Sequence, residues 1–215
     1  MNARISGWFM AIALATLAVV SPVRAELAVG RDYVPIVPAQ MTDNPAKIEV
    51  LEFFSYGCPH CSEFHPIVSK WSSALPADVV FKRVPVSFGR PQWATLAKLF
   101  YALEASGDLT RLDAAVFDAL HKKGARLYDD KSVIDWVTAQ GIDGKKFADA
   151  YNSFGVISKV KRADQMAQSY KIQGVPAMAV DGKYLVTGKE IKGLPDLVLL
   201  TDQVIDLARR DRSKK

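Results

Sequence analysis

Both cysteines of this 215-residue chain stand in one tetrapeptide, Cys58-Pro59-His60-Cys61. Two thiols two residues apart can form a disulfide, exchange one with another molecule, or help to hold a metal. A structural disulfide stabilises a fold by closing a long loop, and a bridge over two residues constrains almost nothing. A structural zinc site takes four ligands, and the sequence offers no second cysteine pair and no spaced histidine pair. Redox exchange with no bound metal is therefore the expected chemistry.

The tetrapeptide sits between an apolar, strand-like run, Ile48 to Tyr56, and a helical pattern from Ser62 to Trp71 in which Phe64, Ile67, Val68 and Trp71 share a stripe. A thiol at the start of a helix meets unsatisfied backbone N–H groups and the positive end of the macrodipole, which favour thiolate. Cys58 is thus expected to be the acidic sulfur that is attacked and displaced, with Cys61 one turn later as its partner. His60 can donate a hydrogen bond to the Cys58 sulfur or lend it positive charge. Stabilising the thiolate stabilises the reduced form, so the disulfide becomes more oxidising.

A strand repeat of two places Ile48, Val50, Glu52 and Phe54 on one face. Glu52 is then an acid on an apolar surface. Either a lysine pairs with it, or desolvation raises its pKa so that it exchanges a proton with a buried Cys61 thiol. His65 and His121 fall in no recognisable constellation and read as ordinary histidines.

Positioning elements follow from pattern. Tyr33 to Val37 suits a short edge strand, and Val79 to Val86 a second apolar strand. Pro66 should kink the helix after Cys61. From Pro91 to Tyr170 helical spacing dominates, with helices over Trp93 to Ala105, Leu109 to His121, a segment capped by Ser132 and running through Trp136 to Gln140, Lys145 to Phe154 capped by Asp143, and Val156 to Tyr170. Strand signal returns at Val175 to Val180, turns at Asp181-Gly182 and comes back along Lys183 to Thr187. Leu194 to Arg209 closes the order as a helix.

Residues 1–25 read as a secretory signal peptide removed near Ala25: Arg4 opens it, Trp8 to Val20 is an uncharged apolar run of 13 residues, and Val23-Arg24-Ala25 offers small positions for cleavage. The run is shorter than the roughly 20 residues of a spanning helix. Without Arg4 and Arg24, 26 basic residues face 23 acidic ones, a net charge of +3 over 190 residues. Several of the basic residues lie in the tail Arg209 to Lys215, read as a frayed, solvated end, and nucleic-acid binding is not expected. Export would place the cysteines where disulfides persist.

Val50 to Cys61, Val-Leu-Glu-Phe-Phe-Ser-Tyr-Gly-Cys-Pro-His-Cys, resembles the active-site segment of the DsbA family of periplasmic thiol:disulfide oxidoreductases, which have a thioredoxin fold. Gly174-Val175-Pro176 resembles the cis-proline element of that fold, Pro66 its kink proline, and the 114 residues between Cys61 and Pro176 leave room for the family's inserted helical domain. The resemblance implies an α/β thioredoxin-like domain over 26–90 and 171–215 with an all-helical insert over 91–170. It also implies a catalytic set of Cys58, Cys61, His60, Pro59 and Glu52, a substrate contact at Val175 and Pro176, and no cofactor beyond the Cys58–Cys61 disulfide. Expected partners are reduced, unfolded exported polypeptides and a quinone-linked membrane reoxidase of the DsbB type, with the protein itself a monomer. Two other readings stand beside this one: a disulfide isomerase or reductase, and a peptide-binding holdase in which the disulfide is incidental.

Overall fold

A computed structural model describes residues 27–187 and 191–214, so the expected signal peptide lies outside the described residues. Strands β1 (Tyr33–Pro35), β2 (Ile48–Phe54), β3 (Val79–Pro85), β4 (Ala177–Val180) and β5 (Tyr184–Val186) form one sheet in the order β1-β5-β4-β2-β3. β2 and β3 run parallel, and every other pairing is antiparallel. A parallel pair needs a crossover, and α1 (Pro59–Ser73) supplies it. The mixed sheet agrees with the expected thioredoxin-like class.

β2 is an inner strand between β4 and β3 and is buried along its whole length, which accounts for its near-continuous apolar sequence. Val50, Phe53 and Phe54 are fully buried, and each such side chain stabilises the fold by about 1.5–3 kcal/mol. On one face of the sheet, Val50 and Val180 pack with Phe64 and Val68 of α1 and with Val204 and Ile205 of α7 (Leu194–Ser213). On the other face, Leu51, Phe53 and Val84 pack with Ala163 and Ala167 of α6 (Phe154–Ser169).

Helices α2 (Pro91–Ser106), α3 (Leu109–His121), α4 (Asp130–Ala139), α5 (Gly144–Tyr151) and α6 all fall between β3 and β4. A separate cluster built mainly from α2 to α5 includes Leu99, Leu103, Val116, Phe117 and Val137, and it also takes in Phe54, Tyr56, Cys58 and Cys61. The cysteines therefore lie where the sheet meets the helical block.

Four local readings change. The cap of α4 is Asp129, whose carboxylate accepts from the Ser132 N–H; Ser132 is three residues inside and completes a capping box. Phe154 opens α6 after the Ser153 cap rather than ending α5. The tail is not frayed up to Ser213: Arg209 pairs with Asp78 at 2.7 Å, and Arg212 pairs with Asp181 and donates to the carbonyls of Pro45 and Lys47. Those partners come from loops far away in sequence, which helical periodicity cannot reveal. The Asp181-Gly182 turn stands where expected, with left-handed φ of 56° and 64° at its two residues, but Val180 pairs with Tyr184, so the loop has three residues and Lys183 lies in it rather than in β5.

Candidate active site

Cys58 is the N-cap of α1, and Pro59 occupies the first helical turn, where its missing N–H costs nothing. The helix runs on through Pro66 to Ser73. Gly57 must be small: a Cβ there would lie 2.7 Å from Nε1 of Trp93 on α2. This contact sets the start of α1 directly against the helical block.

The two thiols have opposite environments. Cys58 keeps 7 % of its surface exposed and Cys61 none. A hydrogen bond from the Cys61 thiol, the backbone N–H groups of Cys61 and His60, and the charge of His60 bring the Cys58 thiol down to about 6, against the opposing effect of burial. Burial, then the neighbouring Cys58 sulfur, push the Cys61 thiol far up, and the Glu52 charge adds to this. One sulfur is thus a thiolate near neutral pH while the other holds its proton. Both cysteines are free thiols in this structure.

His60 is mostly exposed, and its Nδ1 lies 3.3 Å from Glu63 Oε2. Its help to Cys58 therefore comes through its backbone N–H and its charge rather than through a ring hydrogen bond. The Val175–Pro176 peptide is cis, and as a thiol Cys58 donates to the Val175 carbonyl at 3.4 Å. This brings residues 117 positions apart into contact, with Val175 presenting backbone beside the reactive sulfur.

Glu52 is completely buried, as its place on β2 suggested, but its cation is an arginine. Arg83 Nε donates to Oε2 at 2.6 Å, and the two residues stand opposite each other in the β2–β3 register. Glu52 Oε1 and Arg83 Nη2 have no partner and are the two such buried side-chain atoms among the described residues. Desolvation raises the Glu52 pKa despite the arginine.

Residues 49–200 match the family described as DSBA-like thioredoxin domain. The chain belongs to that family. The thiol:disulfide interchange protein DsbA of Azotobacter vinelandii is 39 % identical over 185 residues, 86 % of each chain. That of Burkholderia cepacia is 40 % identical over 203 residues, covering 94 % of this chain and 92 % of the relative. Among solved structures, Pseudomonas aeruginosa DsbA superposes with a TM-score of 0.82 at 36 % identity, covering 88 % of this chain and 97 % of that one. The DsbA oxidoreductase of Xylella fastidiosa gives 0.79 at 29 % identity over 86 % and 98 %.

Around the cysteines of this DsbA-family chain lie residues that the sequence reading passed over. Arg83 Nη1 also donates to Asp113 Oδ2 at 2.6 Å, bringing α3 into the site. Asp113 Oδ1 accepts from the Tyr56 hydroxyl at 2.5 Å, and Oδ2 lies 2.8 Å from His65 Nε2. His65 therefore belongs to a constellation after all, and His121 Nε2 lies 2.7 Å from the Tyr56 carbonyl oxygen. A signal existed for two of these: Asp113 lies three and four residues before Val116 and Phe117 on the apolar stripe of α3, and Arg83 shares a strand face with Phe81. Charged groups on buried faces need partners.

Proposed function

We propose that the chain is a thiol:disulfide oxidoreductase that donates the Cys58–Cys61 disulfide to reduced, unfolded polypeptides exported to the periplasm. The observation that carries this reading is the opposed setting of the two thiols, an acidic Cys58 on a helix N-terminus and a buried, proton-holding Cys61. A client thiolate attacks the Cys58 sulfur, the intramolecular S–S bond breaks, and Cys61 leaves with the electron pair. Cys61 takes a proton from Glu52, whose raised pKa makes it a donor. A second client thiolate attacks the client sulfur of the mixed disulfide and expels Cys58 as its stabilised thiolate. The client loses two electrons and the cysteine pair gains them.

Pro59 starts the helix at the position that leaves the N–H groups of its first turn aimed at Cys58, and His60 adds its own N–H and its charge. Val175 and Pro176 hold the client: an extended segment pairs with the Val175 backbone as a short added strand, which places its cysteine beside Cys58. Residues 91–170 act as a helical insert in a thioredoxin-like domain formed by 26–90 and 171–215. Family membership supports a periplasmic setting, with export through a signal peptide cleaved near Ala25. It also supports reoxidation by a quinone-linked membrane protein of the DsbB type. The redox-active disulfide serves in place of a cofactor, and the protein works as a monomer without nucleic acid.

Equilibration with glutathione buffers tests the direction of transfer. The expected potential lies well above the roughly −270 mV of a cytosolic thioredoxin, and a value close to that figure would replace the oxidase reading with a reductase. Retention of full activity by Cys58→Ala would instead leave a holdase.

A further inference from the structure

Arg83 is held by two carboxylates at once, Glu52 at 2.6 Å through Nε and Asp113 at 2.6 Å through Nη1, while its guanidinium carbon lies 3.8 Å over the Phe54 ring. With both acids ionised, a single fixed cation faces two negative charges in a region almost closed to water. Side-chain exposure is 0 % for Glu52, 11 % for Arg83 and 17 % for Asp113. Uncompensated charge in such a place is costly, and uptake of one proton removes it. Glu52 can take that proton, with its free Oε1, while His65 stands 2.8 Å from Asp113 at the far end of the cluster.

The two ends of the cluster differ in access. His65, Arg83 and Asp113, each with a small exposed fraction, border a groove of about 1040 Å³ between the β3 edge and helices α3 and α6, and Glu52 does not reach it. The titratable and charged groups that face Glu52 are Arg83 from β3, Asp113 from α3, His65 and Cys61 from α1, and Tyr56 from the turn before α1.

We propose that Asp113 and His65 are positioning residues for the redox step: acting through Arg83 from the groove side, they set whether Glu52 keeps its proton beside Cys61. This rests on the proton exchange between Glu52 and Cys61 proposed above. In ring closure, the Cys61 thiol gives its proton to the Glu52 carboxylate and the Cys61 thiolate attacks the Cys58 sulfur of a mixed disulfide. The external thiol departs as thiolate. Glu52 then loses its proton to water, and the charge of His65, which lowers the Glu52 pKa, speeds that loss. Asp113, negatively charged, does the opposite.

The test is the pH profile of ring closure from a Cys58–glutathione mixed disulfide in the full chain, followed by acid quench and mass measurement. Asp113→Asn removes a negative charge and should move the Glu52 inflection to lower pH by about one unit, the size expected of a neighbouring charge. His65→Gln keeps a donor to Asp113 but removes the imidazole whose charge lowers the Glu52 pKa, and should move the inflection to higher pH. Both variants weaken the same Asp113–His65 contact, so a merely structural role would shift both profiles alike, and that result overturns the proposal, as does the absence of any shift. If Glu52→Gln leaves the inflection in place, the proton role of Glu52 itself fails; if it abolishes the inflection while the other two variants leave it unmoved, the role of Asp113 and His65 alone fails. Should Asp113→Asn not fold, the infrared carboxyl band of Glu52, identified by its absence in Glu52→Gln, reads the same proton in His65→Gln.

Discussion

β2 carries two buried glutamates, Glu49 and Glu52, three residues apart and therefore on opposite faces of the sheet. Each meets a cation from the neighbouring strand, and each cation is shared with an aspartate. On one face the set is Glu49–Lys82–Asp43, with both contacts at 2.7 Å; on the other it is Glu52–Arg83–Asp113, with both at 2.6 Å. The difference is access to water. Lys82 and Asp43 are 36 % and 61 % exposed, and the Asp43 N–H supplies Glu49 with a further donor at 3.4 Å. The inner set is nearly closed, leaves one oxygen and one nitrogen unmet, and lies beside a thiol that has to change protonation. Burial alone therefore does not mark a functional acid. An unmet buried oxygen next to a group with a proton to move does.

The largest expected separation comes from removing the cations. Arg83→Met leaves the buried Glu52 carboxylate unpaired and takes the arginine from Asp113, and breaking a buried pair from one side costs about 3–5 kcal/mol. Lys82→Met, on the open side, leaves groups that water can reach, and the loss should stay near 1 kcal/mol. Urea titration of both variants measures the gap, and equal losses would erase the distinction between the two faces.

Replacing the glutamates separates kinetics from stability. Glu52→Gln removes a proton acceptor at Cys61 and should slow ring closure by about a hundredfold, the low end of general acid–base effects. Glu49→Gln should leave the same rate within about twofold, since no thiol adjoins Glu49 and general catalysis needs contact with the proton moved. Stopped-flow measurement of both variants with a glutathione mixed disulfide decides it, and matched rates would assign Glu52 a purely structural role.

How much of this could be read from sequence differs between the two sets. The cysteine pair, the strand before it, the Asp-Gly hairpin and the long helical run are local patterns, and each appears where spacing placed it. Glu52 stood out because a period of two left one acid on an apolar face. Its partner did not, because the choice of arginine over lysine follows from the β2–β3 register, and parallel register depends on a crossover whose geometry is not written locally. Asp113 arrives from a helix 61 positions beyond Glu52, and only the packing of α3 on the sheet brings it to Arg83. His65 looked ordinary for the same reason. The contacts of Arg212 that pin α7 to the Pro45 and Lys47 carbonyls were equally out of reach.

The smallest expected effects come from the outer member of each set, and pH separates them. Burial alone would raise the Asp113 pKa, but the His65 hydrogen bond, the Arg83 charge and the Tyr56 hydrogen bond outweigh it and hold the carboxyl at about 2. A carboxyl lowered on folding contributes stability above its unfolded value near 3.8, and that contribution is lost as pH falls through about 2. Glu52 has the opposite sign: its folded value is raised, so stability declines as pH rises from its unfolded value toward its folded one. Between pH 4 and 2, Asp113→Asn should therefore flatten the acid-side loss of stability, by an amount on the order of 1–2 kcal/mol. Raised salt should change this little, because buried pairs are weakly screened. Asp43 is also lowered, chiefly by the Lys82 hydrogen bond, but it is exposed. Asp43→Asn should alter the same limb by about 0.5 kcal/mol or less, and about 0.5 M salt should remove most of that. Thermal melts of the two variants across this range, at low and high salt, compare the faces directly, and an Asp113 effect that salt abolishes would mean that water reaches the inner set as freely as the outer.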